Sequence, residues 1–223
     1  MQILPLHFQS GHLLLELANA HWVLDTGSPG SFGSNALQKL AGQAVQVPRS
    51  FMGLNATTLS QMIGAPVAGL LGTDVLNSFD IVLDVSAGLA HFTSEAVPLE
   101  GEAVTLSDVM GVPVVQAQVD GRAHAMFFDT GASVSYFQEE GLEQYPPLEP
   151  AQDFYPGIGP FETPTWRLPV QLGGTRFLLR TGRLPDLLAM TLAMAGVDGI
   201  VGNAICADHR IGYSPRRSLM VIS

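Results

Sequence analysis

The sequence predicts a mostly β protein made of two pseudo-symmetric lobes with a few short helices. Apolar and polar residues alternate over short stretches that run into glycine turns, as at 114–119 before Asp120-Gly121. Two motifs recur in the same order in the two halves of the chain, which indicates that one design is used twice. With 47% hydrophobic residues among 223, the chain can bury a substantial core.

The first repeated motif is an apolar stretch that ends in Asp-Thr-Gly. Residues 22–24 (WVL) precede Asp-Thr-Gly at 25–27, and residues 126–128 (MFF) precede Asp-Thr-Gly at 129–131. At the same spacing, Ser-Phe at 31–32 matches Ser-Tyr at 135–136. Each copy predicts a strand that delivers an aspartate into a glycine turn.

The second repeated motif is a pair of apolar residues followed by glycine. Residues 67–72 (VAGLLG) correspond to residues 197–202 (VDGIVG), and the closing strands of the halves also align. The chain therefore divides into an N-terminal lobe, 1–98, and a C-terminal lobe, 99–223. The stretch 94–103, with its proline, glycine and glutamates, is the natural joint between them.

Short helices are predicted at 34–41, 59–63, 73–77 and 185–195, the last because it is rich in Leu, Ala and Met. Three aspartates follow the apolar-apolar-glycine motif of the first half: Asp74, Asp80 and Asp84. They are interpreted as helix or turn caps or as solvent-facing residues.

Two Asp-Thr-Gly motifs, each followed by apolar-apolar-glycine, resemble the aspartic peptidases of the pepsin and retropepsin class. The resemblance covers nearly the whole chain. It implies a pepsin/retropepsin-type acid protease fold in which two retropepsin-sized lobes are fused, as in the single-chain pepsin-like enzymes. It further implies an aspartic endopeptidase, a hydrolase that acts on peptide or protein substrates.

The resemblance assigns catalysis to Asp25 and Asp129, with a water between them as the nucleophile. Apolar strands would hold both carboxyls in a low-dielectric centre, where two like charges cannot both ionise, so the pair should share one proton, as is known of aspartic proteases. The ionised partner would then take a proton from the water, while the protonated one polarises the peptide carbonyl.

The neighbouring residues are expected to support this pair. By resemblance, Thr26 and Thr130 hydrogen-bond across the lobe interface, and Gly72 and Gly202 belong to supporting loops. Gly27 and Gly131 leave room for close backbone approach and for amide donors. The copies differ at Ser28 and Ala132, and because only the serine hydroxyl can donate to its aspartate, we expect Asp25 to be the more acidic partner.

Family enzymes close a β-hairpin flap over the substrate, and here the second half has the better candidate. The segment 154–161 (FYPGIGPF) is similar to a retropepsin flap tip, with Tyr155, Gly157, Ile158 and Gly159 as its central residues. The candidate of the first half, 50–55, is short. We therefore predict a single flap, from the second lobe.

Composition argues against several other classes of protein. A net charge of −10 with ten Lys plus Arg gives no surface for nucleic acid, and no apolar stretch approaches the length of a bilayer span. The six histidines show no metal-ligand spacing, so we expect no metal and no cofactor. A single cysteine, Cys206, and a start without signal-peptide features lead us to expect a cytoplasmic protein without disulfides. Because one chain carries both aspartates, dimerisation is unnecessary for the chemistry and we expect a monomer.

Two other functions remain open. The first is a catalytically weak or inactive module that keeps the aspartic protease fold and binds peptides or proteins, because fold does not dictate function. The weak flap candidate of the first half favours it, and retention of both aspartates counts against it. The second, a pair of carboxylates acting on a glycosidic bond, lacks any sign of sugar binding.

Overall fold

The computed structural model describes residues 1–34, 37–96, 99–156 and 158–223. Among these described residues, strands hold 52% and helices 14%, which confirms the mostly β prediction. The strands of the first half are β1 (Gln2–Gln9), β2 (His12–Leu17), β3 (Ala20–Leu24), β4 (Phe32–Gly33), β5 (Leu37–Leu40), β6 (Gln43–Gln46), β7 (Ser50–Phe51), β8 (Leu54–Asn55), β9 (Gly69–Leu71), β10 (Asp80–Asp84) and β11 (Leu89–Thr93).

The strands of the second half are β12 (Glu102–Val109), β13 (Val112–Val119), β14 (Arg122–Phe128), β15 (Ser135–Phe137), β16 (Pro147–Tyr155), β17 (Gly159–Leu172), β18 (Thr175–Gly182), β19 (Gly199–Val201), β20 (Ile211–Ser214) and β21 (Leu219–Ile222). The α-helices are α1 (Ala56–Ile63), α2 (Thr73–Leu76) and α3 (Asp186–Met194). Short 3₁₀ turns lie at Leu142–Gln144, Asn203–Cys206 and Pro215–Arg217. Among the described residues, no helix has the length and hydropathy needed to cross a membrane.

Both halves contribute strands to one antiparallel sheet, here called the base sheet. Its strands follow the order β1, β11, β10, β20, β21 and β12, so that the first half supplies three neighbours and the second half the other three. Val82 of β10 lies opposite Gly212 of β20 at the centre. The pseudo-symmetry predicted from the repeated motifs is thus also a symmetry of strand order.

Each half also has a sheet in which the strand before an aspartate lies beside the apolar-apolar-glycine motif, here called the supporting motif (67–72 and 197–202). In the first half β3 runs parallel to β9, with Leu24 opposite Leu71. In the second half β14 runs parallel to β19, with Phe128 opposite Val201. The supporting motifs are therefore strand neighbours of the two aspartate turns.

One apolar core runs continuously through both halves. Its largest fully buried side chains come from both halves of the chain: Trp22, Phe79, Phe92, Phe128 and Tyr213. Burying a large side chain of this kind contributes roughly 1.5–3 kcal/mol relative to exposure. Separating the halves would expose much of this surface.

Three of the predicted helices are confirmed. Asn55 caps the N-terminus of helix α1, where its side chain accepts from the amides of Thr57 and Thr58, and Gly64 caps the C-terminus in the left-handed conformation. Helix α2 and helix α3 fall within the predicted ranges 73–77 and 185–195.

The helix predicted at 34–41 is wrong. Leu37–Leu40 is strand β5, which pairs with β6, while residues 35 and 36 lie outside the described residues. Ala41 and Gly42 both have positive φ, 47° and 83°, the conformation of a tight hairpin turn. The turn therefore overrides the helical pattern of the preceding side chains.

The solvent-facing interpretation of Asp80 is also wrong, because its side chain is only 2% exposed. It forms ion pairs with Arg216 at 3.0 Å and with Arg217 at 2.6 Å, and both arginines come from the other half of the chain. The predicted boundary between residues 98 and 99 falls beside Val97 and Pro98, which lie outside the described residues, and it stays a prediction.

Candidate active site

Asp25 and Asp129 lie side by side at the meeting point of the two halves. Each follows the last residue of its strand, and the backbone ladder continues through it. The Asp25 amide donates to the Leu71 carbonyl at 3.0 Å, and the Asp129 amide donates to the Val201 carbonyl at 2.9 Å. The supporting motifs thereby fix the backbone from which each carboxyl projects.

Thr26 and Thr130 connect the two aspartate turns by reciprocal hydrogen bonds. The Thr26 amide donates to Thr130 Oγ1 at 3.0 Å, and the Thr130 amide donates to Thr26 Oγ1 at 2.9 Å. The hydroxyls in turn donate to carbonyls of the opposite half, Thr26 to Phe128 at 2.6 Å and Thr130 to Leu24 at 2.9 Å. Both threonines are buried, so these bonds are shielded from water.

Each carboxyl accepts two backbone amides from its own turn. Asp25 Oδ1 accepts from Gly27 and Ser28, both at 2.9 Å. Asp129 Oδ1 accepts from Gly131 at 2.8 Å and Ala132 at 3.2 Å. The two turns thus offer nearly equal sets of donors.

The glycines of the turns pack against the carboxyl of the opposite half. A Cβ on Gly27 would lie 2.2 Å from Asp129 Cγ, and a Cβ on Gly131 would lie 2.5 Å from Asp25 Cγ. Neither distance is possible between non-bonded carbon atoms. Glycine is therefore needed at both positions for the two carboxyls to approach each other.

Burial raises the pKa of both carboxyls, and the charge of Asp129 raises that of Asp25 further. The pKa of Asp25 is raised well above its ordinary value, first by burial and then by the charge of Asp129. Burial also raises the pKa of Asp129, but the amide of Gly131 and a hydrogen bond from Asp25 oppose the rise. Two neighbouring carboxyls with raised pKa values favour a state in which the pair holds one proton between them.

This arrangement corrects the expectation that Ser28 makes Asp25 the more acidic partner. The Ser28 hydroxyl donates to the Gly30 carbonyl at 2.8 Å and not to Asp25. Its backbone amide contacts the carboxyl instead, and the amide of Ala132 does the same in the other turn. The sequence difference therefore gives Asp25 no extra side-chain donor.

Gly72 and Gly202 lie directly beneath the two turns. A Cβ on Gly72 would come within 2.6 Å of the Ser28 carbonyl oxygen, and a Cβ on Gly202 within 2.6 Å of the Ala132 carbonyl oxygen. Their amides donate to the hydroxyls of Ser31 at 2.8 Å and Ser135 at 3.0 Å. The two serines occupy matching positions in the repeated motifs, but only the structure shows that their hydroxyls accept these hydrogen bonds.

The flap candidate of the second half is a long hairpin formed by β16 and β17. Tyr155 lies opposite Gly159 next to its tip, and the Ile158 amide donates to the Tyr155 carbonyl at 3.1 Å. Gly157 lies outside the described residues. Tyr155 lines the cleft that contains both carboxyls, and burial and the charges of Asp129 and Asp25 raise the pKa of its hydroxyl.

The first half also supplies a hairpin, which corrects the prediction of a single flap. Strands β7 and β8 pair over two residues each and carry Phe51, Met52 and Leu54 to the same cleft that contains the carboxyls. The Phe51 ring approaches Gly30 so closely that a Cβ there would lie 2.6 Å from it. The two hairpins differ in length, and both border the cleft.

Asp153, on the long hairpin, is a site residue that sequence reasoning missed. It lines the cleft, accepts a hydrogen bond from the Tyr136 hydroxyl and another from the Phe154 amide at 2.7 Å, and its charge contributes to the raised pKa of Asp129. His12 lines a neighbouring pocket together with Asp153, and burial lowers the pKa of its ring. No signal in a single sequence marks Asp153 as part of the site.

Comparisons with known proteins bear on the fold. No family model matches the chain, and no curated protein matches it either. Among solved structures, 395 chains match. One is basic 7S globulin from soybean, with a TM-score of 0.54 and 11% sequence identity over 99% of this chain and 94% of that one. At this identity the likeness shows the fold alone, which is pepsin-like.

Proposed function

We propose that the protein is an aspartic endopeptidase with Asp25 and Asp129 as its catalytic pair. The observation that carries this proposal is that two buried carboxyls, one from each half, lie together in one cleft and both have raised pKa values. Matched amide donors and reciprocal threonine bonds support it, because they hold both carboxyls in position before a substrate arrives.

In this mechanism Asp129 acts as the base and Asp25 as the acid. Asp129 takes a proton from water, whose oxygen forms a bond to the peptide carbonyl carbon, while Asp25 gives its proton to the carbonyl oxygen. The tetrahedral diol then collapses: Asp129 passes its proton to the leaving nitrogen, the C–N bond breaks, and a diol hydroxyl returns a proton to Asp25. The pair ends in its starting state.

The cleft favours a peptide with apolar side chains near the bond to be cut. Both hairpins border it, and its walls are mainly aliphatic and aromatic: Phe32, Phe51, Leu54, Phe161, Leu184 and Ile200. Such walls bind apolar side chains by removing them from water.

The decisive experiment is hydrolysis of a mixed peptide library between pH 3 and 8 by the wild type and by Asp25→Asn and Asp129→Asn. We expect cleavage by the wild type and a loss of at least about 1,000-fold in either variant, since each removes one half of the acid–base pair. Asp208→Asn, at an exposed aspartate, is the matched control and should cleave normally. Cleavage that persists in both site variants would refute the proposal.

A peptide-binding module without hydrolysis is the second candidate. The observation that favours it is the likeness to basic 7S globulin, a protein named as a globulin and not as a peptidase. Binding of library peptides by the wild type, with no cleavage at any pH, would favour this function over the first.

A further inference from the structure

Two histidines and a glutamate from three neighbouring strands converge on one face of the first half. Glu16 of β2 lies directly opposite His21 of β3, and His7 of β1 lies opposite Leu14, two residues along β2 from Glu16. Residues two apart on a strand share a face, and diagonal neighbours are about 7 Å apart, within reach of long side chains.

The potential ligand atoms of these three residues all lie within 4.8 Å of one another. His7 Nε2 is 3.7 Å from Glu16 Oε2, and the rings of His7 and His21 meet edge to face with centroids 5.2 Å apart. On the same face Leu14 and Val23 are buried with residues of α1, so the polar cluster adjoins a rigid apolar layer. The strands fix the backbone, and the side chains need only small rotations.

Two imidazoles and one carboxylate form a donor set that suits zinc. Zn²⁺ binds His nitrogen and carboxylate oxygen at about 2.0–2.2 Å, which places tetrahedral ligands roughly 3.4 Å apart. From separations of at most 4.8 Å, the ligand atoms would have to close by up to about 1.4 Å, and the 3.7 Å between His7 and Glu16 by only about 0.3 Å. The side chains of His7 and Glu16 are 46% and 40% exposed, so they are free to make this movement.

We propose that His7, Glu16 and His21 bind Zn²⁺, with a fourth position open to water. A surface depression bordered by Glu16, His21 and Pro66 lies next to the cluster and leaves room for that fourth ligand. The expectation of no metal rested on the linear spacing of histidines, whereas these ligands come together only through strand pairing.

The bound ion would cross-link β1, β2 and β3, and β3 is the strand that leads to Asp25. A ligand that binds only the folded state stabilises it in proportion to its concentration. Zinc should therefore raise the unfolding temperature of the full chain. Lower pH should weaken binding, because protons compete with the metal for imidazole nitrogen.

The test uses the full chain, freed of metal with a chelator and then titrated with ZnCl₂ by calorimetry and by thermal unfolding. We expect one zinc per chain, a higher unfolding temperature, and binding at least about tenfold weaker in His21→Ala and in Glu16→Gln. The matched control is His91→Ala, at a histidine on β11 outside this cluster, and it should bind as the wild type does.

Absence of zinc binding in the wild type would overturn the proposal, and so would binding that survives both His21→Ala and Glu16→Gln. A second group, His124, Glu139 and Asp198, lies in the other half. Binding lost in His124→Ala but kept in His21→Ala would place the metal there and also overturn it. Zinc binding and thermal unfolding do not depend on peptidase activity. The zinc proposal and the peptidase proposal can therefore each fail without the other.

Discussion

The hydroxyl of Thr130 performs two tasks where the halves meet. It accepts from the Thr26 amide and donates to the Leu24 carbonyl, and both partners belong to the other half. Thr130 is 1% exposed, so neither partner could turn to water if the hydroxyl were lost. An unsatisfied buried donor or acceptor costs about 1–3 kcal/mol.

Thr130→Val, which keeps the shape and removes the hydroxyl, should therefore lower the free energy of unfolding by about 1–3 kcal/mol. Urea unfolding followed by circular dichroism measures this change. Thr130→Ser keeps the hydroxyl and is the control, with a smaller loss expected. Equal stability of Thr130→Val and the wild type would show that the reciprocal bonds contribute nothing net.

Asp153 offers a test of how the cleft sets the protonation of the pair. Its negative charge favours the protonated form of Asp129 and raises the pKa of that carboxyl. Asp153→Asn removes the charge, so Asp129, the base of the proposed mechanism, should ionise at a lower pH. The acidic limb of the pH–rate profile should move to lower pH, whereas Asp120→Asn, at an exposed aspartate between β13 and β14 and outside the cleft, should leave it in place.

At the scale of elements, the hairpins show where sequence reasoning succeeds and where it stops. The Gly-Ile-Gly pattern predicted the long hairpin of β16 and β17 because turn residues between alternating strands are a local signal. The hairpin of β7 and β8 pairs over only two residues on each side, too few for alternation to stand out. The strand at Leu37–Leu40 was missed because a tight turn after it overrides side-chain periodicity.

Ile158, at the tip of the long hairpin, packs against the apolar cluster that contains Tyr136 and Leu188. Ile158→Asp should remove this contact and lower kcat/KM by at least about tenfold, because the hairpin would no longer close over the substrate. Steady-state kinetics on a cleaved library peptide measure the change. Leu178→Asp, at a leucine 68% exposed on β18, is the control, and an equal loss there would contradict a special role for the tip.

For the molecule as a whole, the base sheet and the ion pairs of Asp80 join the two halves. The repeated motifs predicted two similar halves and placed both aspartates at corresponding positions. They could not predict the contacts between the halves, since Asp80 and its partners, Arg216 and Arg217, are far apart in sequence and follow no period. The cluster of His7, Glu16 and His21 was hidden for the same reason.

Asp80→Asn should lower the free energy of unfolding by about 1–3 kcal/mol. The amide leaves Arg216 and Arg217 without their buried carboxylate, and the partial exposure of the arginines, 38% and 35%, keeps the cost below that of a fully buried pair. Urea denaturation gives the value. Glu143→Gln, which breaks an exposed pair with Arg183, should leave the midpoint unchanged. Equal effects of the two substitutions would argue against the cross-half ion pairs.

Because Gly27 packs on Asp129 and Gly131 packs on Asp25, each half limits which residues the other half can accept. A side chain introduced at Gly27 would clash with the carboxyl of Asp129 in the second half. A side chain introduced at Gly131 would clash with the carboxyl of Asp25 in the first half. Neither glycine can be replaced without displacing the carboxyl of the opposite half, because each turn shapes the space around the aspartate of the other turn. A second substitution that compensates for a change at Gly27 or at Gly131 is therefore expected in the opposite half of the chain.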